Sequence, residues 1–242
     1  MILYHYTTLD SLALILKSKK IRFSKLTTVD DPVEYSYIKD NINPAQYVFV
    51  SCWTSSSFEN IPQWKMYANG GHGVRIGLSS TMFSFKKNDG GNMIVFPNIF
   101  FEDKNYYILP VLSETEFLSD IIYTEQPLSK FNYIYSNVNE LPVIDFKELG
   151  KYKMIDWQFQ KEKRFRLYVV PKIGGKIPCN FLGELIYPSI NHIDIPINED
   201  VIDEMKITLG PYMTESEKII ATALVRQFVQ SAEVKSSVFS ND

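Results

Sequence analysis

The sequence is poor in the residues from which metal sites and disulfide frameworks are built. It contains only 2 Cys and 3 His, and none of them falls into a Cys-x-x-Cys or His-Glu-x-x-His spacing, so we expect no metal. Cys52 and Cys179 are too few for a disulfide framework, which favours a reducing compartment. A Gly-x-x-x-x-Gly-Lys-Ser/Thr loop is also missing, which excludes a P-loop nucleotide hydrolase.

A strong excess of charge and long apolar runs are missing as well. The formal net charge is -3, whereas proteins that bind nucleic acid mainly through phosphate contacts are usually basic. No apolar stretch approaches the ~20 residues that a membrane-spanning helix needs. Asp10 precedes the apolar run Leu12–Leu16 and lysines follow it, which reverses the charge order of a signal peptide. These features predict a cytoplasmic protein without a membrane partner.

What the sequence does contain is typical of a folded domain. Its 242 residues are 45% hydrophobic and 14% aromatic, which is enough for a sizeable core. Strand-like runs and helical runs do not alternate regularly, which indicates an α+β fold rather than a doubly wound sheet. Since no linker or repeat interrupts the chain, we expect a single domain over residues 1–242. The main strand candidates are Ile2–Tyr6, Ile21–Phe23, Tyr47–Trp53, Gly73–Leu78, Arg164–Val170 and Lys206–Leu209.

Two helices have clear signals at their starts. Thr7 or Thr8 can cap a helix that ends near Ser18, because a hydroxyl accepts hydrogen bonds from the free amides of the first turn. Thr214 and Glu217 form a capping box for the last helix. Apolar spacing predicts that this helix buries Ile220, Ala223, Leu224 and Phe228.

His5 is the first candidate for a functional residue. It lies at the end of the first predicted strand, beside Thr7 and Thr8. A histidine and two hydroxyls at a strand-to-helix junction offer directional hydrogen bonds where ligands tend to bind. A lone histidine is more often a satisfied structural group, and by sequence alone this second interpretation is favoured.

The stretch from Trp157 to Arg166 is the second candidate. In an extended chain, Gln160, Glu162 and Arg164 share one face, because side chains alternate along a strand. A polar face of this kind, beside aromatic residues, can orient a hydroxylated ligand, and the carboxylate can stabilise developing positive charge. The alternative, a solvated edge strand with ordinary salt bridges, is slightly favoured by the pattern itself.

Cys52 and His72 could be imagined as a nucleophile and its base. Nothing in their spacing supports this pairing. A free cysteine is commonly just a small buried hydrophobic residue.

Basic residues cluster early in the chain. Such a cluster is usually the exposed end of a helix, and phosphate binding is the alternative. The cluster consists of Lys17, Lys19, Lys20, Arg22 and Lys25.

Several motifs together resemble an uncharacterised bacterial family, known as domain of unknown function 2971, over nearly the whole chain. The family has an aromatic-His-Tyr-Thr start, an Asn-Asp-Pro-x-Glu box, Trp-x-x-Tyr-Ala, a Gly-Val-x-Ile-Gly strand and a Trp-x-x-Glu-x-Glu-x-Arg box. Two positions depart from the pattern, since Asp30 replaces Asn and Gln160 replaces Glu. The matching segments are Tyr4–Thr7, Asp30–Glu34, Trp64–Ala68, Gly73–Gly77 and, in the last box, Trp157, Glu162 and Arg164.

That family in turn resembles the ADP-ribosyltransferase fold, especially the bacterial toxins that modify DNA. The resemblance implies split mixed or antiparallel sheets with flanking helices, and NAD as a substrate. It implies that His5 binds a ribose hydroxyl, that Thr7 helps to hold the nicotinamide side and that Glu162 stabilises an oxocarbenium-like state. Gln160 would orient the acceptor or the ribose, and Ser51 would supply a supporting hydroxyl. Arg164, on the same polar face as Gln160 and Glu162, would contact NAD. An aromatic residue would stack on nicotinamide, and the candidates are Tyr35, Tyr37 and Tyr67.

The function expected from this resemblance is NAD-dependent ADP-ribosyl transfer or NAD hydrolysis. A toxin or phage-defence setting is implied, with a protein or nucleic-acid acceptor and an antitoxin partner. One alternative is a non-catalytic binding module of the same fold. Another is a nucleic-acid-processing protein that uses the basic cluster and Lys161–Arg166, which the acidic overall charge disfavours.

Overall fold

The secondary structure of the chain is mixed. The computed structural model describes residues 1–38, 42–87, 94–95, 105–109, 113–133, 135–138, 141–144, 146–172 and 186–240. The helices are α1 (Leu9–Ser18), α2 (Ile61–Tyr67), α3 (Glu114–Phe117), α4 (Glu199–Ile202) and α5 (Glu215–Phe228). The early strands are β1 (Ile2–Thr7), β2 (Lys20–Lys25), β3 (Val48–Thr54), β4 (Val74–Ser79), β5 (Lys86–Lys87), β6 (Ile94–Val95), β7 (Tyr106–Ile108) and β8 (Leu118–Asp120). The later strands are β9 (Ile122–Thr124), β10 (Tyr135–Val138), β11 (Leu141–Ile144), β12 (Tyr152–Met154), β13 (Glu162–Pro171), β14 (His192–Pro196), β15 (Lys206–Leu209) and β16 (Glu233–Ser236).

Most of these strands join one mixed sheet, which confirms the α+β class. Its main path runs β14-β2-β3-β1-β4-β15-β16. The β15–β16 pair is parallel, whereas the other neighbours along the path are antiparallel. β13 pairs with β3 over Glu162–Tyr168, and its other edge pairs with β7 and β8. Since β13 has neighbours on both edges, the interpretation of residues 157–166 as a solvated edge strand is wrong.

The sheet opens between β1 and β2, which share one edge of β3. β2 pairs with the start of β3 through Ser24 and Val50, and β1 pairs with its end through Tyr4 and Thr54. Neither strand pairs with the three residues between these contacts, Ser51–Trp53. The two halves of the sheet therefore separate at this point and leave backbone groups of β3 accessible from the gap.

Local signals place β1 and α1 as predicted. Thr8, rather than Thr7, caps α1, and its hydroxyl accepts a hydrogen bond from the amide of Ser11. Leu12 and Leu16 are buried under the helix. The capping box at Thr214 is also confirmed. α1 thus connects β1 and β2, the two strands that border the gap.

The predicted core stripe of α5 is wrong except at Leu224, which packs against the core. The helix buries Ala221 and Val225, whereas Ile220 is 52% exposed and Phe228 is 38% exposed. Apolar residues occupy more than one face of this helix, so their spacing alone does not select the face that packs on α1.

Large aromatic side chains fill the core behind the gap. Phe165 of β13 is fully buried and its ring contacts those of Phe23, Trp53, Phe83 and Phe117. Burial of such rings contributes strongly to stability, because each removes a large apolar area from water. The strands that border the gap therefore pack on a closely filled aromatic core. Among the described residues, no helix is long and apolar enough to cross a bilayer.

Candidate functional site

A cleft of about 230 Å³ opens where β1 and β2 separate. Residues from β1, β2, β3 and β13 line it, together with α2 and the segment before β13. Six of the seven predicted site residues lie on its walls: His5, Ser51, Tyr67, Gln160, Glu162 and Arg164. Stretches that are far apart in the sequence therefore meet around one opening.

Thr7 is the predicted site residue that does not line this cleft. It lies opposite Val74 in the β1–β4 ladder, and only 6% of it is exposed. Its position is that of a buried strand residue, and the structure gives it no contact with the cleft.

His5 bridges the gap between β1 and β3. Had the antiparallel register continued from Tyr4 and Thr54, Tyr6 would lie opposite Cys52. Instead, the imidazole Nδ1 lies 2.9 Å from the carbonyl oxygen of Cys52, and the ring packs 5.1 Å from that of Trp53. A carbonyl can only accept, so Nδ1 carries the proton and donates. Among the described residues Nε2 has no hydrogen-bond partner, which makes it an acceptor for a ligand hydroxyl.

Burial lowers the pKa of His5, although its bond to the Cys52 carbonyl opposes this shift. We expect the neutral Nδ1–H tautomer to persist at about pH 6.5, where an ordinary imidazole is half protonated. The unfolded chain then binds a proton that the folded chain does not, so His5 reduces stability as the pH falls below that value. Nitrogen-15 NMR of the imidazoles measures this directly. Imidazolium shifts for His5 at that pH would contradict the assignment.

The segment before β13 is not extended, contrary to the prediction. Ile155–Gln160 forms a 3-10 helix, and Lys161 then adopts the left-handed conformation with φ 44° before β13 begins. This turn, rather than strand alternation, brings Gln160 beside Glu162. The predicted grouping of Gln160, Glu162 and Arg164 is nevertheless present in the cleft.

Glu162 is held by a cation on each carboxylate oxygen. Arg164 Nε donates to Oε1 at 2.7 Å, and Lys153 Nζ donates to Oε2 at 3.0 Å. Arg164 also binds both oxygens of Glu34 and the carbonyl of Gly150. Lys153 and Glu34 were not predicted as site residues, although Glu34 is the last position of the segment that resembles the Asn-Asp-Pro-x-Glu box.

The two neighbouring cations lower the pKa of Glu162. Burial works to raise its pKa, but the charges of Arg164 and Lys153 outweigh burial and bring the pKa to about 2. Burial raises the pKa of Glu34, against the attraction of Arg164 and Lys153. Glu162 is therefore the more acidic of the two and is ionised at neutral pH.

A chain of hydrogen bonds fixes the amide of Gln160. Its Oε1 accepts from Lys153 at 2.8 Å, and its Nε2 donates to the hydroxyl of Tyr67 at 2.6 Å. Tyr67 in turn donates to Asp30 at 2.7 Å. Gln160 is thus held with its oxygen toward Lys153 and its nitrogen toward Tyr67.

Aromatic rings form much of the cleft wall. Tyr67 lines it, whereas Tyr35 and Tyr37 do not and instead pack against the core. Trp53, which no sequence motif singles out, also lines the cleft, and its indole Nε1 donates to Ser51 Oγ at 3.0 Å. Ser51 therefore orients a ring of the wall.

Cys52 and His72 are not a catalytic pair. His72 Nδ1 contacts Glu217 at the start of α5 at 3.0 Å. The Cys52 thiol bonds to Glu162, and burial raises its pKa. Cys179 lies outside the described residues. A protonated, half-buried thiol is a poor nucleophile.

We expect Cys52 to react slowly with thiol reagents in the folded protein. In a Cys179→Ser variant, modification should be about tenfold or more slower than in urea, because burial disfavours the thiolate. His72→Ala should leave the rate unchanged. Equal rates in folded and unfolded protein would contradict this placement of the thiol.

The early basic cluster is largely paired. Arg22 binds Asp194, Lys19 binds Glu199, and Lys25 donates to the carbonyl of Pro188. Lys25 is also buried. These contacts reduce the charge available to phosphates at this end of the chain.

The cleft combines groups of complementary chemistry. A neutral imidazole offers an acceptor, Glu162 offers an ionised carboxylate, and aromatic rings offer flat apolar surface.

The described residues contain no group of three His, Cys, Asp or Glu side chains placed to hold a metal ion. No protein-family model, curated protein or solved structure matches the chain, so its function is argued from this cleft.

Proposed function

We propose that the protein breaks the nicotinamide–ribose bond of NAD in this cleft and transfers ADP-ribose to an acceptor or to water. The observation that carries the proposal is that His5 and Glu162 line one opening. The proposal includes an ADP-ribosyltransferase-like fold, in which a histidine of the first strand and a glutamate of a later strand act on the same ribose.

Each group has a defined task in this reaction. His5 Nε2 accepts a hydrogen bond from a ribose hydroxyl, and Tyr67 or Trp53 packs against the nicotinamide ring. The C1′–N bond breaks and its electron pair leaves with nicotinamide, so positive charge develops on the ribose. The carboxylate of Glu162 stabilises that charge. Water or an acceptor group then forms the new bond to C1′ and releases a proton.

A second candidate is a binding module that holds the nucleotide without cleaving it. The observation in its favour is the pairing of Glu162, since Arg164 and Lys153 counter its charge. A carboxylate in such contacts stabilises a nearby cation less than an uncompensated one. The two candidates predict the same ligand and differ only in turnover.

The test is to incubate the protein with NAD and to separate nicotinamide and ADP-ribose by chromatography. NAD binding is measured by calorimetry in parallel. We expect binding and release of nicotinamide, with free ADP-ribose as the product when no acceptor is added. Binding without release supports the binding module, and absence of both overturns the proposal.

A further inference from the structure

Lys153 is a charged residue of the cleft to which the proposed reaction gives no task. It comes from β12, lines the cleft and is only 3% exposed. Two of its three ammonium hydrogens bind Gln160 Oε1 at 2.8 Å and Glu162 Oε2 at 3.0 Å. The third has Glu34 at 3.6 Å, which is beyond hydrogen-bond length. The ammonium of Lys153 therefore makes two hydrogen bonds and one longer ion pair.

Arg164 is held differently from Lys153. Its guanidinium binds Glu34 through two nitrogens, the carbonyl of Gly150 and Glu162, and none of its surface is exposed. A planar guanidinium in so many bonds cannot leave without breaking all of them. Lysine carries its charge on a flexible stem. Of the two cations on Glu162, Lys153 makes fewer hydrogen bonds and has the more flexible side chain.

An exchange of partners by Lys153 would affect Glu162, because the Lys153 ammonium occupies the carboxylate oxygen, Oε2, that a ligand would need. While its ammonium lies 3.0 Å from Oε2, that oxygen is engaged and its charge is countered. If the ammonium moves to another anion, Arg164 still positions the carboxylate through Oε1. The face of the Trp157 ring lies 5.0 Å from Nζ in this arrangement, so the ammonium leaves this neighbour when it moves.

We propose that Lys153 binds a phosphate group of the nucleotide and thereby releases Glu162 Oε2 for the ribose. This inference rests on the proposed function. Lys153 is the residue through which phosphate binding frees the carboxylate of Glu162 to contact the ribose. A substrate without phosphate leaves Lys153 on Glu162 and is cleaved slowly. Lys153 is thus a specificity-determining residue for phosphorylated nicotinamide nucleosides.

The kinetic test compares NAD with nicotinamide riboside, which has the same scissile bond but no phosphate. We expect the wild-type protein to prefer NAD in kcat/KM by about 5- to 150-fold, the usual range for coupling between two sites. Lys153→Met should lose most of this preference, and Lys153→Arg should keep part of it. Lys172→Met is the matched control, because Lys172 also packs over an aromatic ring, that of Tyr107, but does not line the cleft. Equal preference in Lys153→Met and wild type overturns the inference.

A second measurement does not depend on turnover or on the folding of a Lys153 variant. Inorganic pyrophosphate is titrated into the wild-type protein while tryptophan fluorescence is recorded. We expect a saturable change that Trp157→Phe abolishes, because the ammonium leaves the neighbourhood of that ring. No change with pyrophosphate, or a change that survives in Trp157→Phe, contradicts the inference. A pyrophosphate signal without any nicotinamide release would refute the proposed reaction and leave the phosphate site standing.

Discussion

Glu162→Gln is expected to lower the rate of nicotinamide release by about 10²–10³-fold, the usual cost of removing one group that stabilises transition-state charge. The amide keeps the shape of the side chain but removes the negative charge that meets the developing sugar cation. The loss should appear mainly in kcat, with a smaller change in NAD affinity, because the charge acts as the bond breaks. Steady-state kinetics with direct measurement of NAD binding separates these effects.

Glu116→Gln is the matched control for this variant. Glu116 is a buried carboxyl that accepts a hydrogen bond from Tyr168, and it does not line the cleft. We expect this variant to release nicotinamide at close to the wild-type rate. A Glu162→Gln protein as active as Glu116→Gln would show that the carboxylate has no part in the chemistry.

Arg164→Met is expected to destabilise the protein by about 3–5 kcal/mol, since removing one partner of a buried ion pair leaves an uncompensated charge. The change takes the guanidinium from Glu34 and Glu162 together. Lys153 then remains as the cation beside the two carboxyl groups. Urea unfolding measures the free-energy difference, and adding Glu34→Gln to Arg164→Met should recover part of the loss.

Arg22→Met provides the comparison for a solvated pair. Arg22 binds Asp194 through two nitrogens, but half of its side chain is exposed, at 52%. Exposed pairs contribute about 0–1 kcal/mol, so this variant should unfold at nearly the wild-type urea concentration. Equal destabilisation by the two arginine substitutions would contradict the buried character of the Arg164 cluster.

Local features of the fold were predictable from the sequence. β1, α1 and the capping box of α5 depend on neighbouring residues, such as the Thr8 hydroxyl and the amide of Ser11. His5 was identifiable as a candidate because it lies at the junction of the first strand and helix. The carbonyl that it binds, that of Cys52, was not identifiable, because the contact depends on where two strands part.

The surroundings of Glu162 were the least predictable part of the site. Lys153 comes from another strand and Glu34 from a 3-10 helix near the start of the chain, so their contacts depend on long-range packing. The conformation of Gln160 was predicted wrongly, because a run of alternating Gln, Lys and Glu fits an extended chain as well as a turn. Burial of β13 was missed for the same reason, since polar residues suggested exposure.

The most direct test of the account is nitrogen-15 NMR of the 3 histidines while NAD is added to the slow variant Glu162→Gln, in which the ligand persists. His5 lines the cleft, whereas His72 and His192 do not. We expect a saturable change in the chemical shift of His5 Nε2, because that nitrogen accepts a hydrogen bond from a ribose hydroxyl. The chemical shifts of the other two imidazoles should stay unchanged. Saturation of the protein by NAD with an unmoved His5 resonance would contradict the account.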